Sequence, residues 1–147
     1  MITTMNEQPE IVLSSLDVAR IEAIIDQTPA APLASQLEAE LARGRVVSPQ
    51  EIPDDVVTMN SRVCFCLKEN GREFEKVLCY PADADKIVDG LSILTPVGSS
   101  LLGLRVGQTM RVLGQVIAAP LAGETKLSDV RVTAIQYQPE RAGDYHT

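Results

Sequence analysis

The sequence predicts an α+β fold in which helices come first along the chain and strands follow. Apolar residues recur at helical spacing up to Leu41, whereas apolar and polar residues alternate after Val56. The Asn70-Gly71 pair then provides a strong signal for a tight turn between two strands. We therefore expect a short N-terminal antiparallel helical hairpin, followed by an antiparallel sheet with one short helix.

The first predicted helix covers Leu16 to Gln27. Ser14 and Ser15 precede its apolar stripe, and their hydroxyls are good helix N-caps. The proline-rich segment 28–32 ends this helix, and a second helix follows that stops at Gly44. At 1.5 Å per residue, each arm is about 20 Å long. The apolar stripes expected to pack inward are Leu16, Ile21, Ile24 and Ile25 in the first helix and Leu33, Leu37 and Leu41 in the second.

The strands after the helices have one apolar face. Val63, Phe65 and Leu67 alternate with polar or small residues. A two-residue turn at Asn70-Gly71 predicts a definite register. The expected facing pairs are Lys68 with Glu73, Leu67 with Phe74, and Val63 with Leu78.

Further strands are expected at Leu91–Leu94, Thr109–Ile117 and Leu127–Tyr137. A short helix between the first two begins near Pro96 and ends at Gly103. The segment from Val46 to Asp55 is rich in proline and acidic residues and is expected to be a linker. We accordingly divide the chain into an N-terminal unit, 10–46, and a C-terminal unit, 54–141.

Composition narrows the possible functions. The formal net charge of −7 argues against free nucleic acid as a partner, because phosphate binding needs clustered Lys and Arg. Aromatic residues make up only 3% of the chain, which disfavours base stacking. The sequence contains no apolar run long enough to span a membrane and no export signal, so we expect a cytoplasmic protein.

The chain offers few residues for catalysis or metal binding. Cys64, Cys66 and Cys79 are expected on one face of the sheet, with Cys64 opposite Val77. The single histidine, His146, is near the C-terminus, so neither a four-ligand zinc site nor a nucleophile–histidine pair is expected. We predict no metal, no cofactor and no catalytic site.

Five segments together resemble the Rnk family, which is named for the regulation of nucleoside diphosphate kinase. The resemblance extends from about Ile11 to Tyr145. The segments are Ser48–Val63, Thr95–Gly98, Leu101–Gly107, Tyr137–Glu140 and Ala142–Tyr145.

The resemblance implies a fold and a partner. The Rnk family is similar to the Gre transcript-cleavage factors, whose C-terminal domain is FKBP-like and docks at the rim of the RNA polymerase secondary channel. The Gre docking segment corresponds to Thr95 and Pro96 here, with Val97 and Gly98 beside them. The sequence departs from the Gre pattern at Leu94, where Gre factors can carry an acidic residue. The resemblance therefore implies a polymerase-binding protein.

In Gre factors, two carboxylates at the tip of a long coiled coil help to hold Mg²⁺ at the polymerase active site. The corresponding tip here is Asp26, Gln27 and Thr28, which contains one carboxylate. Glu22 lies one helical turn below it, and the next acid along the chain is Glu38. We therefore expect the protein to compete with Gre factors without stimulating RNA cleavage.

Two alternatives remain open at this point. The family name implies a protein that regulates nucleoside diphosphate kinase through protein contacts. The FKBP-like fold also allows a peptidyl-prolyl isomerase, although Phe65 and Phe74 are expected in the core rather than in a pocket.

Overall fold

The computed structural model describes residues 10–27, 34–67, 72–112 and 128–143, and it confirms the mixed α+β class. The helices are α1 (Ser15–Gln27), α2 (Ala34–Arg43), α3 (Pro96–Leu101) and α4 (Pro139–Ala142). The strands are β1 (Val12–Ser14), β2 (Arg45–Val47), β3 (Arg62–Leu67), β4 (Arg72–Cys79), β5 (Gly90–Ser92), β6 (Thr109–Val112) and β7 (Ser128–Tyr137). Within these ranges, no helix is long and apolar enough to cross a membrane.

The first helix begins where its cap predicts. The Ser14 hydroxyl accepts hydrogen bonds from the backbone N–H groups of Leu16 and Asp17, at 3.2 and 3.3 Å. Ser14 is therefore the capping residue, and Ser15 is the first residue of the helix. The predicted end of α2 is also confirmed, since the helix stops immediately before Gly44. A Cβ at that position would overlap the Leu13 side chain, so close packing favours glycine there.

The first and second strands form a small parallel sheet that the sequence did not reveal. Residues 45–47 belong to β2, which pairs with β1, so the expected linker begins later than Val46. The Arg45 N–H donates to the Ile11 carbonyl oxygen at 2.9 Å. Strands of three residues are too short for alternation to predict, and tertiary pairing stabilises them.

The main sheet has five strands in the order β5-β4-β3-β7-β6. Its pairs are antiparallel except for β4 and β5, which run parallel, so the expectation of a wholly antiparallel sheet was wrong. A 3-10 turn at Pro81–Asp83 and a left-handed residue, Asp89 (φ 65°), lie in the connection that brings β5 alongside the C-terminal end of β4. The expectation of a single short helix also missed α4 and the 3-10 turns at Pro49–Glu51 and Pro81–Asp83.

The β3–β4 register differs by two residues from the predicted one. Phe65, rather than Leu67, faces Phe74, and Val63 faces Lys76. The pairing ends at Leu67 and Arg72, so four residues separate the paired ends instead of two. A shift of two preserves which face each side chain occupies, and for that reason the buried face was still correctly predicted.

One continuous hydrophobic core joins the N-terminal helices to the sheet. Phe65 is fully buried, and its ring stacks on Phe74 with centroids 5.5 Å apart. The chain segments 10–46 and 54–141 both contribute to this core. Its members include Ile11, Leu13, Ile21, Ile25, Leu37 and Leu41 from the first segment, and Val63, Phe65, Leu78, Ile93, Val97, Leu101, Leu104, Val130 and Val132 from the second.

Candidate functional site

The predicted docking residues form the corner between β5 and α3. Thr95 caps α3, because its Oγ1 accepts the Gly98 N–H at 3.0 Å. The same hydroxyl donates to the Ser92 carbonyl oxygen at 2.7 Å, and the Thr95 N–H also donates to that oxygen at 3.1 Å. Three hydrogen bonds therefore hold the Thr95 side chain and backbone in one orientation.

Pro96 occupies the first helical position, where its lack of an N–H costs nothing. Its carbonyl oxygen accepts the hydroxyls of Ser99 and Ser100, at 3.2 and 2.8 Å. Thr95 and Pro96 are both half-buried, so each side chain keeps part of its surface in solvent. This corner is a rigid surface feature that a partner can contact.

Val97 and Gly98 lie beneath the corner. Both are buried, and Val97 belongs to the hydrophobic core. A Cβ on Gly98 would overlap the Ser92 carbonyl oxygen, so the backbone approaches closely only because this residue is glycine. Leu94, the departure from the Gre pattern, is half-buried and packs against the core. Among the four predicted residues, only Thr95 and Pro96 offer surface to a partner.

The predicted tip residues lie near the junction of α1 and α2. Asp26 and Gln27 are exposed at the end of α1, and Thr28 lies outside the described residues. Asp26 and Glu38 line one groove of about 320 Å³ between the helices, although they are distant in sequence. From the sequence, one carboxylate was expected at the tip, because only residues adjacent in the chain were considered. The groove is lined by Glu22, Ile25, Asp26, Glu38, Leu41 and Ala42.

In the described part of the chain, no group of three or more His, Cys, Asp or Glu side chains is arranged to hold a metal ion. The cysteines are all free. Cys64 and Cys66 are half-exposed, and Cys64 faces Glu75 rather than Val77. Cys79 is buried, and its thiol lies 3.6 Å from the Leu91 carbonyl oxygen.

A buried polar cluster near the start of α1 was not predicted. Asp17 is 4% exposed, and its Oδ2 accepts the Met59 N–H at 3.1 Å. Burial raises the pKa of the Asp17 carboxyl to about 7, against the opposing effect of the Met59 N–H, and the charge of Glu140 raises it as burial does. Burial likewise raises the pKa of Tyr80 to about 12, and the charge of Asp17 adds to this effect. In sequence, Asp17 is an ordinary first-turn acid, and no local signal marks its burial.

Comparison with protein families divides the chain into two matched regions. The family model of the Rnk N-terminus matches residues 9–47. The family model of the C-terminal region of the GreA/GreB transcription elongation factors matches residues 52–117, which include the Thr95–Pro96 corner.

Individual relatives agree with these matches, and they are named as regulators and elongation factors rather than as enzymes. The regulator of nucleoside diphosphate kinase of Escherichia coli K12 is 41% identical over 140 residues, covering 94% of this chain and 97% of that protein. The elongation factor GreA of Clostridium acetobutylicum is 33% identical over 78 residues, covering 53% of this chain and 49% of GreA. A solved structure from Nitrosomonas europaea, described as a prokaryotic transcription elongation factor GreA/GreB, is 42% identical with a TM-score of 0.66, covering 88% of this chain and 100% of that one. The chain therefore belongs to the Rnk family of regulators of nucleoside diphosphate kinase, which is related to the Gre elongation factors.

Proposed function

We propose that this protein binds RNA polymerase at the rim of the secondary channel and modulates transcription without catalysing a reaction. Residues 54–141 are the FKBP-like docking domain in this proposal, and the match to the GreA/GreB C-terminal region supports that role. Contact is made to polymerase protein surfaces rather than to nucleic acid, in keeping with the net charge of −7. No cofactor takes part.

The rigid corner at Thr95 and Pro96 is the observation that carries the proposal. Its hydroxyl and carbonyl groups are already hydrogen-bonded within the protein. RNA polymerase would therefore meet a preformed surface, and little conformational entropy would be lost on binding. Val97 and Gly98 support the corner from beneath. Pro96 supplies an apolar ring that is half-exposed and rigid.

Residues 10–46 form a short coiled-coil hairpin in this proposal, with its tip near Asp26. The 13 residues of α1 span about 20 Å, which is short beside the long Gre coiled coil. Glu22 and Glu38 line the same groove as Asp26, so a shortage of carboxylates does not by itself argue against cleavage activity. Cleavage activity is disfavoured instead by the short length of the helices and by the lack, among the described residues, of three acidic, His or Cys side chains arranged to hold a metal ion. We infer that the protein occupies the Gre docking site and competes with Gre factors.

Co-purification with RNA polymerase tests docking. We expect Pro96→Arg to abolish it, because a charged side chain at a small packed contact loses hydration without gaining a partner. Pro49→Arg is the matched control, since Pro49 also begins a short helical turn and is also half-buried. Circular dichroism checks that both variants fold. Equal binding by a folded Pro96→Arg protein would remove this corner from the contact.

A stalled elongation complex tests the competition. The protein alone is expected to leave the RNA uncut, and added to a Gre factor it is expected to slow Gre-dependent cleavage. Pro96→Arg should not slow it, because that variant does not dock. Strong cleavage by this protein alone, lost in Asp26→Ala, would contradict the proposal.

A second candidate is direct regulation of nucleoside diphosphate kinase, which the name of the E. coli relative favours. The same co-purification separates the two functions. Recovery of the kinase without polymerase subunits, unaffected by Pro96→Arg, would favour the kinase. A peptidyl-prolyl isomerase is less favoured, because Phe65 and Phe74 stack on each other and pack in or against the core.

A further inference from the structure

A buried carboxyl group lies where the first helix meets the segment leading into the main sheet. Asp17 is in the first turn of α1, and its Oδ2 accepts the Met59 N–H at 3.1 Å. Met59 is 1% exposed and precedes β3 by a few residues. A side-chain hydrogen bond thus joins the N-terminal helices directly to the approach to the sheet.

The same segment is bonded to the C-terminal helix α4. Thr58 Oγ1 donates to Glu140 Oε1 at 2.7 Å and lies 2.9 Å from Ser61 Oγ. Thr58 is adjacent to Met59, so α1 and α4 are attached to consecutive residues of one segment.

We propose that Asp17 is a positioning residue that holds α1 and α2 in one orientation on residues 54–141. In the docked protein, this orientation sets how effectively the N-terminal helices compete with a cleavage factor. The competition depends on the docking proposed above, whereas the positioning itself is a property of the free protein.

The charges around Asp17 make its protonation state relevant to this role. Arg20 on the same helix favours the ionised carboxyl, and Glu140 from α4 opposes it. Tyr80, which follows β4, also faces the group, and residues 57–61 contribute no ionisable side chain. The Met59 N–H favours the ionised carboxyl, but burial penalises the charge more, so the attachment of α1 is expected to weaken as the group ionises.

Hydrogen exchange of the Met59 amide, followed by NMR, tests the positioning. In Asp17→Ala the protection factor of this amide should fall about 10- to 100-fold, because a buried N–H loses its acceptor. Amides of α1 should lose protection with it. Asp17→Asn keeps an oxygen acceptor and should restore protection, and its protection factor should not change between pH 6 and 8. The wild-type value should decline over that range.

Glu40→Gln is the matched control, because Glu40 is also a buried acid of the N-terminal helices but pairs with Arg43 of its own helix at 3.1 Å. It should leave the Met59 amide unchanged. Unchanged Met59 protection in Asp17→Ala would overturn the positioning role. Equal loss of protection throughout β3, β4 and β7 would also overturn it, since Asp17 would then affect global stability alone.

Experiments with RNA polymerase measure docking and competition separately. Asp17→Ala should co-purify with polymerase as the wild type does, yet require a severalfold higher concentration to slow Gre-dependent cleavage. Asp17→Asn should restore competition. Wild-type competition by Asp17→Ala would overturn the link to function. Failure of the wild type itself to dock would instead refute the proposed function and with it this link, leaving the exchange experiment to decide the positioning.

Discussion

Helices α1 and α3 begin in the same way but differ at their third residue. A hydroxyl caps each helix, from Ser14 at α1 and from Thr95 at α3. The third helical residue is Asp17 in α1 and Gly98 in α3, and both are buried. At α1 a carboxyl reaches the Met59 amide, whereas at α3 the missing side chain admits the Ser92 carbonyl oxygen.

The difference shows how far local rules determine a helix terminus. An acid in the first turn is favoured by the helix dipole by about 0.3–1 kcal/mol, which would lower the pKa of Asp17. Burial has the larger effect, since the pKa is raised to about 7. The cap sets where the helix begins, and the surrounding structure sets the chemistry of the residue that follows.

The largest expected effect concerns Asp17→Asn. The pKa of Asp17 is raised from 3.8 to about 7, so the native state binds the proton more tightly than the unfolded state. The stabilisation from proton binding is complete below pH 4 and is lost as pH rises to about 7, by up to about 4 kcal/mol. Asn does not titrate, so urea unfolding should show the variant gaining stability relative to the wild type from pH 4 to 8. Parallel pH profiles for the two proteins would contradict this.

Gly98→Ala tests the other third residue. We expect a loss of about 1–3 kcal/mol in the free energy of unfolding, because the added Cβ overlaps the Ser92 carbonyl oxygen. Gly107→Ala is a useful contrast, since nothing lies within 4 Å of a Cβ there and its cost comes from the positive φ of 93°. Urea unfolding provides the measurement. A Gly98→Ala variant as stable as the wild type would show that the backbone at Ser92 and Gly98 can move apart at little cost.

Removing the caps themselves should have a smaller effect. Thr95→Ala and Ser14→Ala should each cost about 1 kcal/mol. Thr95→Ala should cost more than Ser14→Ala, because its hydroxyl also donates to the Ser92 carbonyl oxygen at 2.7 Å. Thermal unfolding of the two variants provides the comparison. The reverse order would indicate that this additional hydrogen bond adds no stability.

Replacing the sheet cysteines should have an effect no larger than that of removing a helix cap. Joint replacement of Cys64, Cys66 and Cys79 by Ser should cost about 1 kcal/mol, mostly from the buried Cys79. Elemental analysis of the wild-type protein should find no stoichiometric zinc. One zinc per chain would show that the thiols are ligands rather than passive side chains.

Sequence reasoning predicted faces and helix starts better than pairings. The alternation through Val63, Phe65 and Leu67 correctly identified the buried face of β3. The register was wrong by two residues, because a turn signal constrains only the nearest residues, whereas pairing along β3 also depends on β7. The parallel β4–β5 pair and the pairing of β2 with β1 were missed. Each involves only three residues per strand, and its two strands are separated along the chain by a connection whose described residues include no strand.

The candidate site shows the same division. Family resemblance predicted Thr95 and Pro96 as docking residues, and that role stays a prediction, whereas their positions as cap and first helical residue follow from residue type. Two features could not be predicted from sequence: the burial of Val97 and Gly98, and the groove that Asp26 and Glu38 share. Each depends on which secondary-structure elements pack against one another.

Sequence reasoning alone was enough to predict the α+β class, the starts of α1 and α3, the end of α2 at Gly44 and the buried face of β3. Backbone preferences, capping hydroxyls and apolar periodicity act over a few residues, so the residues that produce them are adjacent in the chain. The strand register, the parallel pair and the environment of Asp17 were instead set by tertiary contacts. Those depend on desolvation and on partners such as Met59 and Glu140, which lie 42 or more residues further along the chain.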